Sequence, residues 1–274
     1  LQFLDIFLLD QVDSLGFHKS YNSLEQSKFI NHLHELKNIF LFFNIPENKK
    51  LNFQISNMTS VMQNLFHQDK SLILFNGSRN TNLNEVEKVL NLSKDIVPKV
   101  IVTNEKGIVF YRDKQKNIFM DIVKPTNQSV NRTIHASTLA FELSCKGEKI
   151  ITNCGSMNRA IFNDSDYLRY SAAHSTIIVN NTNISELNKN SYRRVPDNIT
   201  FTKEDEENYI LWTASHNGYI KNYKKIITRK IKIIKNKSEI FGEDSIISTK
   251  TNNKKLVYHI RFHLMPQCNC IITN

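Results

Sequence analysis

Two histidines and one asparagine between residues 135 and 179 have side chains suited to acid–base chemistry. His135 and His174 each stand before a run in which apolar residues alternate with small or polar ones, and Asn153 lies between them in the sequence Asn-Cys-Gly. Such alternation is typical of a half-buried β-strand. We therefore expect a β-sheet to bring two imidazoles and one carboxamide together.

The sequence around these residues resembles the C-terminal part of the heparinase II/III-like polysaccharide lyases. The resemblance rests on short pieces that occur in the family's order, and it covers most of the chain from about Asn22 onward. The pieces are Leu65–Gly77, His135-Ala-Ser-Thr-Leu-Ala-Phe-Glu-Leu143, Ile150-Ile-Thr-Asn-Cys-Gly155, Ser171-Ala-Ala-His174, Trp212-Thr-Ala-Ser-His-Asn-Gly-Tyr219, Gly242-Glu-Asp244 and Ile260-Arg-Phe-His-Leu-Met-Pro266. The resemblance implies a C-terminal β-sandwich preceded by the end of an α/α toroid.

The resemblance implies an enzyme that cleaves a uronate-containing acidic polysaccharide by β-elimination. In that reaction the carboxylate beside C5 is neutralised, a base removes the C5 proton, and an acid protonates the leaving glycosidic oxygen. His135 and His174 are the catalytic residues that the resemblance implies for the sandwich, while the toroid supplies a tyrosine and an Asn/His pair. The catalytic segment of the toroid is not in this chain, so we expect the chain alone to be catalytically incomplete. The resemblance also implies a location in the cell envelope or periplasm.

Two positions depart from the family pattern, which includes a zinc site in several members. Thr133 stands where the pattern has the first histidine of His-x-His, and Asn153 stands where it has an aspartate. The metal ligands implied for this chain are therefore His135, Asn153 and His174. Two neutral imidazoles and a carboxamide form a weak site for Zn²⁺, which favours thiolate, imidazole and carboxylate ligands. A hydrogen-bonded cluster of the same three residues is the alternative.

Three further residues are candidates for substrate binding. Arg169 lies five residues before His174. Its guanidinium can hold a uronate or sulfate through two parallel hydrogen bonds, and an internal salt bridge is an equal alternative. His216 and Tyr219 lie in the Ser-His-Asn-Gly-Tyr piece of the resemblance. Where no partner is visible, a single histidine or tyrosine is more often a hydrogen-bonded structural group.

The basic composition suits a polyanionic partner. The net charge is +10 and the isoelectric point is about 9.3. Basic residues are dense over 224–237, where Ile231 and Ile233 alternate with lysines. We interpret this stretch as a strand with a solvated lysine face, and a patch that steers substrate is the alternative. No nucleic-acid-binding motif accompanies the charge, so we expect no nucleic-acid partner. The alternative to a lyase is a non-catalytic carbohydrate-binding or envelope-assembly β-sandwich.

The first part of the chain has helical periodicity. Apolar residues recur at helical spacing over residues 22–45 and 50–67, and a short helix is expected at 84–92. The first of these helices is expected to begin with a capping box formed by Ser23 and Gln26.

From about residue 99 the spacing of apolar residues changes to two, which predicts many short antiparallel strands. Among them are Val100–Val102 and a single strand over Leu256–Leu264. The predicted fold class is mainly β, an antiparallel β-sandwich preceded by a few α-helices. We predict a helical segment with a linker over 1–97, as the end of an incomplete toroid. The sandwich domain is predicted over 98–274, with its C-terminus truncated.

No stretch of the sequence predicts a membrane span. The apolar run Leu1–Leu9 is interrupted by Asp5, is too short to cross a bilayer and lacks the basic start of a signal peptide. Four cysteines in a chain of 274 residues do not make a disulfide framework, and their spacing is not that of a zinc ribbon. Nothing in the sequence indicates the oligomeric state.

Overall fold

The N-terminal third of the chain is helical. The computed structural model of the protein describes residues 2–80, 83–92, 106–126, 134–157, 166–188, 191–250 and 255–273. Its helices in this part are α1 (Gln2–Gln11), α2 (Ser23–Phe42), α3 (Lys49–Met62) and α4 (Leu83–Asn91). The three predicted helices are confirmed. The helix α3 ends earlier than predicted, because Phe66 pairs with Leu72 in a β-bridge instead of continuing the helix.

The start of α2 differs from the predicted capping box. The side chain of Asn22 caps the helix by accepting hydrogen bonds from two backbone N–H groups of the first turn. The buried side chain of Gln26 donates instead to the carbonyls of Gly16 and Met58, each at 2.9 Å. The prediction that Ser23 and Gln26 form a capping box is therefore wrong, because Gln26 joins α2 to α3 and to the preceding loop.

Antiparallel strands follow the helices. They are β1 (Ile108–Arg112), β2 (Lys116–Asp121), β3 (Phe141–Cys145), β4 (Glu148–Thr152), β5 (Ile177–Val179), β6 (Glu186–Asn188), β7 (Ser191–Arg194), β8 (Ile199–Asp205), β9 (Tyr209–Tyr219), β10 (Lys225–Ile234), β11 (Ile240–Ser248), β12 (Tyr258–Ile260) and β13 (His263–Leu264). A helical turn, α5 (Ile220–Tyr223), joins β9 to β10. The first sheet has the order β1-β2-β3-β4-β13 and the second the order β11-β10-β9-β8, while β12 pairs with β5 and β6 with β7. The predicted fold class, mainly β with antiparallel sheets after a few helices, is confirmed.

The first sheet is covered on both faces. One face packs against the second sheet, where Met120 and Trp212 belong to the same apolar core. The other face packs against the helical part, where Phe75 and Phe119 belong to a second core. All six residues of β2 are buried for this reason. Polar side chains that point from the first sheet toward the helices are therefore removed from water and need internal partners.

Strand β10 has the predicted alternation. Ile231 and Ile233 are buried, whereas Lys230 is half-buried. Arg229 belongs to the same basic stretch but lies on the buried face, with 2% of its surface exposed. The expected solvated basic face therefore does not include Arg229.

The buried Arg229 guanidinium joins three parts of the sandwich. Its Nε and Nη2 atoms donate to the two carboxylate oxygens of Asp244, each at 2.8 Å. Its Nη1 atom donates to the carbonyls of Leu139 and Ser175, also at 2.8 Å. The cation thus holds the chain before β3 and the chain before β5 against the second sheet.

A second buried cation, Lys116, joins the two sheets at the turn between β10 and β11. The Lys116 ammonium is fully buried and donates to the Asp113 carboxylate at 3.1 Å. It also donates to the carbonyls of Ile234 and Lys237, at 2.6 and 2.5 Å. These oxygens replace the water that the ammonium loses on burial.

The predicted single strand over Leu256–Leu264 is wrong. Tyr258–Ile260 pairs with β5, whereas His263–Leu264 pairs with β4, so the chain passes to the first sheet between them. The predicted strand Val100–Val102 and Thr133 lie outside the described residues, as does the predicted boundary at residues 97 and 98, which stays a prediction. Across the described ranges, no helix is long and apolar enough to cross a membrane.

Candidate functional site

His135 and His174 are brought together ahead of two strands. His135 precedes β3, and His174 follows the 3₁₀ turn Ser171–Ala173 and precedes β5. Nδ1 of His135 lies 3.2 Å from Nε2 of His174. Both side chains are buried, with 3% and 0% of their surface exposed. The predicted proximity of the two imidazoles is confirmed.

Asn76 fixes the backbone of His135. The amide oxygen of Asn76 accepts the His135 backbone N–H at 3.3 Å and the Ser137 hydroxyl at 3.4 Å. Asn76 has a left-handed φ of 52°, a conformation that asparagine adopts more readily than most residues and that precedes Gly77. Asn76 and Gly77 end the Leu65–Gly77 piece of the resemblance, but the contact of Asn76 with His135 was not predicted.

His174 is neutral over the physiological range. Burial lowers the pKa of His174 to about 3, and His263 lowers it further, whereas Glu142 and the Leu168 carbonyl oppose the change. A hydrogen bond between His174 and His135 then needs one protonated and one unprotonated ring nitrogen. The pair therefore has to adopt complementary tautomers.

Asn153 is connected to the pair through the residue after His174. The Asn153 amide oxygen accepts the Ser175 backbone N–H at 3.0 Å. The Asn153 amide nitrogen donates to Glu142 Oε1, also at 3.0 Å. Both polar ends of the carboxamide are thus committed to the protein.

Glu142, on β3, is a buried carboxylate at the junction of the helical part and the first sheet. It accepts hydrogen bonds from His67 Nε2 at 2.8 Å, from the Leu74 backbone N–H at 3.0 Å, and from the backbone and side-chain nitrogens of Asn153, each at 3.0 Å. Burial raises the pKa of Glu142, but His67, Lys149 and Asn153 outweigh it and hold the pKa below its ordinary value. Burial also lowers the pKa of His67, so a neutral His67 donates to an anionic Glu142.

The donor set of this cluster does not fit a zinc site. The two imidazole nitrogens lie 3.2 Å apart, which is close to the separation of two ligands in a tetrahedral site with Zn–N bonds of about 2.0–2.1 Å. The distance between the histidines is therefore not what argues against zinc. The third group, Asn153, carries no charge, and its amide oxygen already accepts the Ser175 N–H. Within the described ranges, no three His, Cys, Asp or Glu residues are arranged to hold a metal ion. Zinc binding stays a prediction from the resemblance, and the reaction proposed below uses no metal.

Arg169 lies next to the histidine pair in the fold. Its backbone carbonyl accepts the N–H of Ala136, the residue after His135, at 2.9 Å. Arg169 as a whole is 4% exposed, and its guanidinium donates to the Asn188 carbonyl at 3.4 Å and lies beside the Tyr192 hydroxyl. Binding of a uronate or sulfate by Arg169 stays a prediction.

His216 and Tyr219 lie on β9 and have internal partners. His216 Nδ1 accepts the Gly218 N–H at 3.1 Å, and burial lowers the pKa of His216 to about 3, with Arg229 and Arg194 adding to the effect. The hydroxyl of the fully buried Tyr219 lies 3.2 Å from the Ile177 carbonyl and 3.0 Å from that of Thr182. Their predicted contact with substrate stays a prediction.

Asp121, which the sequence did not single out, is a buried acid whose partner Ser137 also bonds to Asn76, the residue that holds the His135 backbone. Its carboxylate accepts the Ser137 hydroxyl at 2.5 Å and the Val123 backbone N–H at 2.9 Å. Burial raises the pKa of Asp121 to about 7, although these hydrogen bonds and Asn76 oppose the change. No sequence signal distinguishes it, because its alternating position on β2 is that of a core residue.

The raised pKa of Asp121 makes part of the free energy of unfolding depend on pH. In the unfolded chain the carboxyl loses its proton near pH 3.8, and in the folded protein near pH 7. At this carboxyl the folded state therefore holds more protons between these values, and the contribution of Asp121 to the free energy of unfolding falls as the pH rises through them. Buried His174 and His216, whose pKa values are lowered to about 3, contribute in the opposite direction. We expect Asp121→Asn to remove this part of the pH dependence. Urea denaturation of both proteins across this interval measures it, and identical slopes of stability against pH would contradict a protonated Asp121.

Comparison with known proteins identifies one family. Residues 98–273 match the sequence profile of the family described as Heparinase II/III-like, C-terminal. No curated protein matches the chain.

Solved structures with a similar fold come from longer proteins. The heparan sulfate lyase HepC from Pedobacter heparinus superposes with a TM-score of 0.70 at 17% identity, over 96% of this chain and 43% of that protein. A heparinase III superposes with a TM-score of 0.69 at 13% identity, over 91% of this chain and 41% of that protein. At these identities the likeness shows the fold alone. This chain spans less than half the length of either protein.

Proposed function

The chain belongs to the heparinase II/III-like family, and we propose that it is the C-terminal part of a lyase that cleaves uronate-containing acidic polysaccharide by β-elimination. The observation that carries the proposal is the buried His135–His174 pair, whose nitrogens lie 3.2 Å apart in the matched region. The net charge of +10 supports a polyanionic substrate, because it attracts such a chain over long range. A polysaccharide substrate also favours a location in the cell envelope or periplasm.

In this proposal His135 is the reacting imidazole of the sandwich and His174 holds it. In the tautomer that we propose, the proton of the neutral His174 is on Nδ1, and its unprotonated Nε2 accepts the Nδ1–H of His135. His135 Nε2 then carries a lone pair and takes up a proton during the elimination. A pKa of about 3 makes His174 a poor proton carrier, so its role is to fix the tautomer of His135.

The remaining steps of the elimination belong to groups outside this chain. Neutralising the substrate carboxylate and protonating the leaving oxygen need two further groups, which we assign to the helical domain that the resemblance implies. The full-length protein is therefore the form to assay.

The test is formation of an unsaturated uronate by the full-length protein. The purified protein is incubated separately with heparan sulfate, chondroitin sulfate, hyaluronan and alginate, and the product is followed by its ultraviolet absorbance. We expect product from at least one of them and none from the same polysaccharide after its carboxylates are reduced to alcohols, because the C5 proton is then no longer acidic. Saturable binding to a polysaccharide without product would contradict the lyase and favour the non-catalytic carbohydrate-binding sandwich.

A further inference from the structure

The Glu142 carboxylate decides which way the Asn153 carboxamide points. The oxygen and nitrogen ends of a carboxamide have nearly the same shape, so packing alone does not choose between two orientations. Here one end faces Glu142 Oε1 and the other faces the Ser175 N–H, both at 3.0 Å. A rotated carboxamide would set its oxygen against the carboxylate and its nitrogen against an N–H donor. The anion therefore selects the observed orientation.

The orientation of Asn153 in turn fixes the backbone that carries His174. The Ser175 N–H, which belongs to the peptide bond following His174, is held by the Asn153 amide oxygen at 3.0 Å. The Ser175 hydroxyl donates to the Thr152 carbonyl at 2.9 Å. With this peptide anchored, the His174 ring is set 3.2 Å from His135.

We propose that Glu142 is a positioning residue for the histidine pair, acting through Asn153 and Ser175; its effect on turnover rests on the lyase function proposed above. Glu142 is fully buried and bonds to Asn153, which in turn holds the residue after His174. Its two carboxylate oxygens accept hydrogen bonds from different partners. Oε1 accepts from Asn153 and Leu74, whereas Oε2 accepts from His67.

The first test replaces Glu142 by leucine, which keeps the bulk and removes both acceptors. In the full-length protein we expect Glu142→Leu to lower kcat by about 100-fold with KM little changed, since a misplaced reacting group loses rate rather than ground-state binding. Independently of activity, nitrogen-15 spectra of labelled histidines should show changed imidazole signals for His135 and His174.

Glutamine at the same position is the conservative variant. The amide oxygen of Glu142→Gln can replace Oε1 and keep the contacts to Asn153 and Leu74. Its amide nitrogen then faces His67, whose ring can accept at Nε2 after moving its proton to Nδ1. We expect Glu142→Gln to restore kcat to within about threefold of wild type, which is less than 1 kcal/mol, and to restore the histidine signals.

Lys116→Met is the matched control. It also removes a fully buried charged side chain, which has hydrogen bonds to Asp113 and two carbonyls. Lys116, however, lies at the start of β2, beside the turn between β10 and β11. We expect it to lower stability without changing kcat or the histidine signals. If Glu142→Leu does not fold, Asn153→Ala breaks the next link and should change the histidine signals and kcat in the same way.

The outcomes separate this proposal from the lyase function. Wild-type histidine signals and wild-type kcat in Glu142→Leu would overturn the positioning role while leaving the lyase intact. Equal changes in Lys116→Met would also overturn it, because the effect would then follow from lost stability alone. If the wild-type protein forms no product, the lyase function fails, and the histidine signals alone decide whether Glu142 positions the pair.

Discussion

Alanine in place of His135 is expected to lower kcat for unsaturated-uronate formation by the full-length protein by about 10²- to 10⁴-fold, the range contributed by a positioned acid–base group. The neutral His174 cannot take over, since burial lowers its pKa to about 3. Because His135 acts mainly in the transition state, kcat and kcat/KM should fall together. The rate of increase in ultraviolet absorbance under saturating polysaccharide measures the effect.

His18→Ala is the control for the loss of a buried imidazole. His18 is 8% exposed, its Nδ1 lies 2.7 Å from the Ser20 hydroxyl, and its ring packs on Phe29 in the helical part. We expect both alanine variants to lose about 1–3 kcal/mol of stability and only His135→Ala to lose turnover. A His135→Ala protein within threefold of the wild-type kcat would exclude His135 as the reacting group.

Arg229→Ala is expected to lower the free energy of unfolding by about 3–5 kcal/mol, because it leaves a buried carboxylate without its partner. The Asp244 side chain is 11% exposed and makes two 2.8 Å hydrogen bonds with Arg229. The variant also loses the donors to the Leu139 and Ser175 carbonyls. Urea denaturation of the two proteins measures the difference.

The adjacent Lys230 provides the comparison for Arg229. It pairs with Glu243 at 3.3 Å, but the two side chains are 41% and 61% exposed. Lys230→Ala should therefore change stability by less than about 0.5 kcal/mol. A loss below about 1 kcal/mol in Arg229→Ala would mean that water replaces the guanidinium. Replacing both members by apolar residues, as in Arg229→Met with Asp244→Leu, should recover part of the loss.

The sequence predicted the class of each element well where periodicity alone decides it. Alternating isoleucines identified β10, and the spacing of apolar residues identified α2. The motif order shared with the family, together with the position of the two histidines before alternating runs, also predicted their proximity, which is observed at 3.2 Å. Their roles in chemistry stay predictions, because alternation reports burial and not reactivity.

The sequence failed where a side chain has a partner far along the chain. Gln26 matched a capping-box pattern but bonds to Met58, and Arg229 stood in a basic stretch but bonds to Leu139. Glu142 and Asp121 occupy ordinary strand positions, and only their burial and their partners distinguish them. Such roles depend on tertiary contacts, which a local pattern does not encode.

The order in which the chain folds follows from the partners of Glu142 and His135. Glu142 bonds to His67 and Leu74 across separations of 75 and 68 residues, and His135 bonds to Asn76 across 59. The chain must close loops of this length before the contacts contribute any stabilisation. Contacts between residues that lie far apart in the sequence therefore form slowly. Until then the Glu142 carboxylate keeps its water, and the Asn153 carboxamide is free to rotate. We therefore expect the docking of residues 65–77 onto the first sheet and the ordering of the histidine pair to occur together, late in folding.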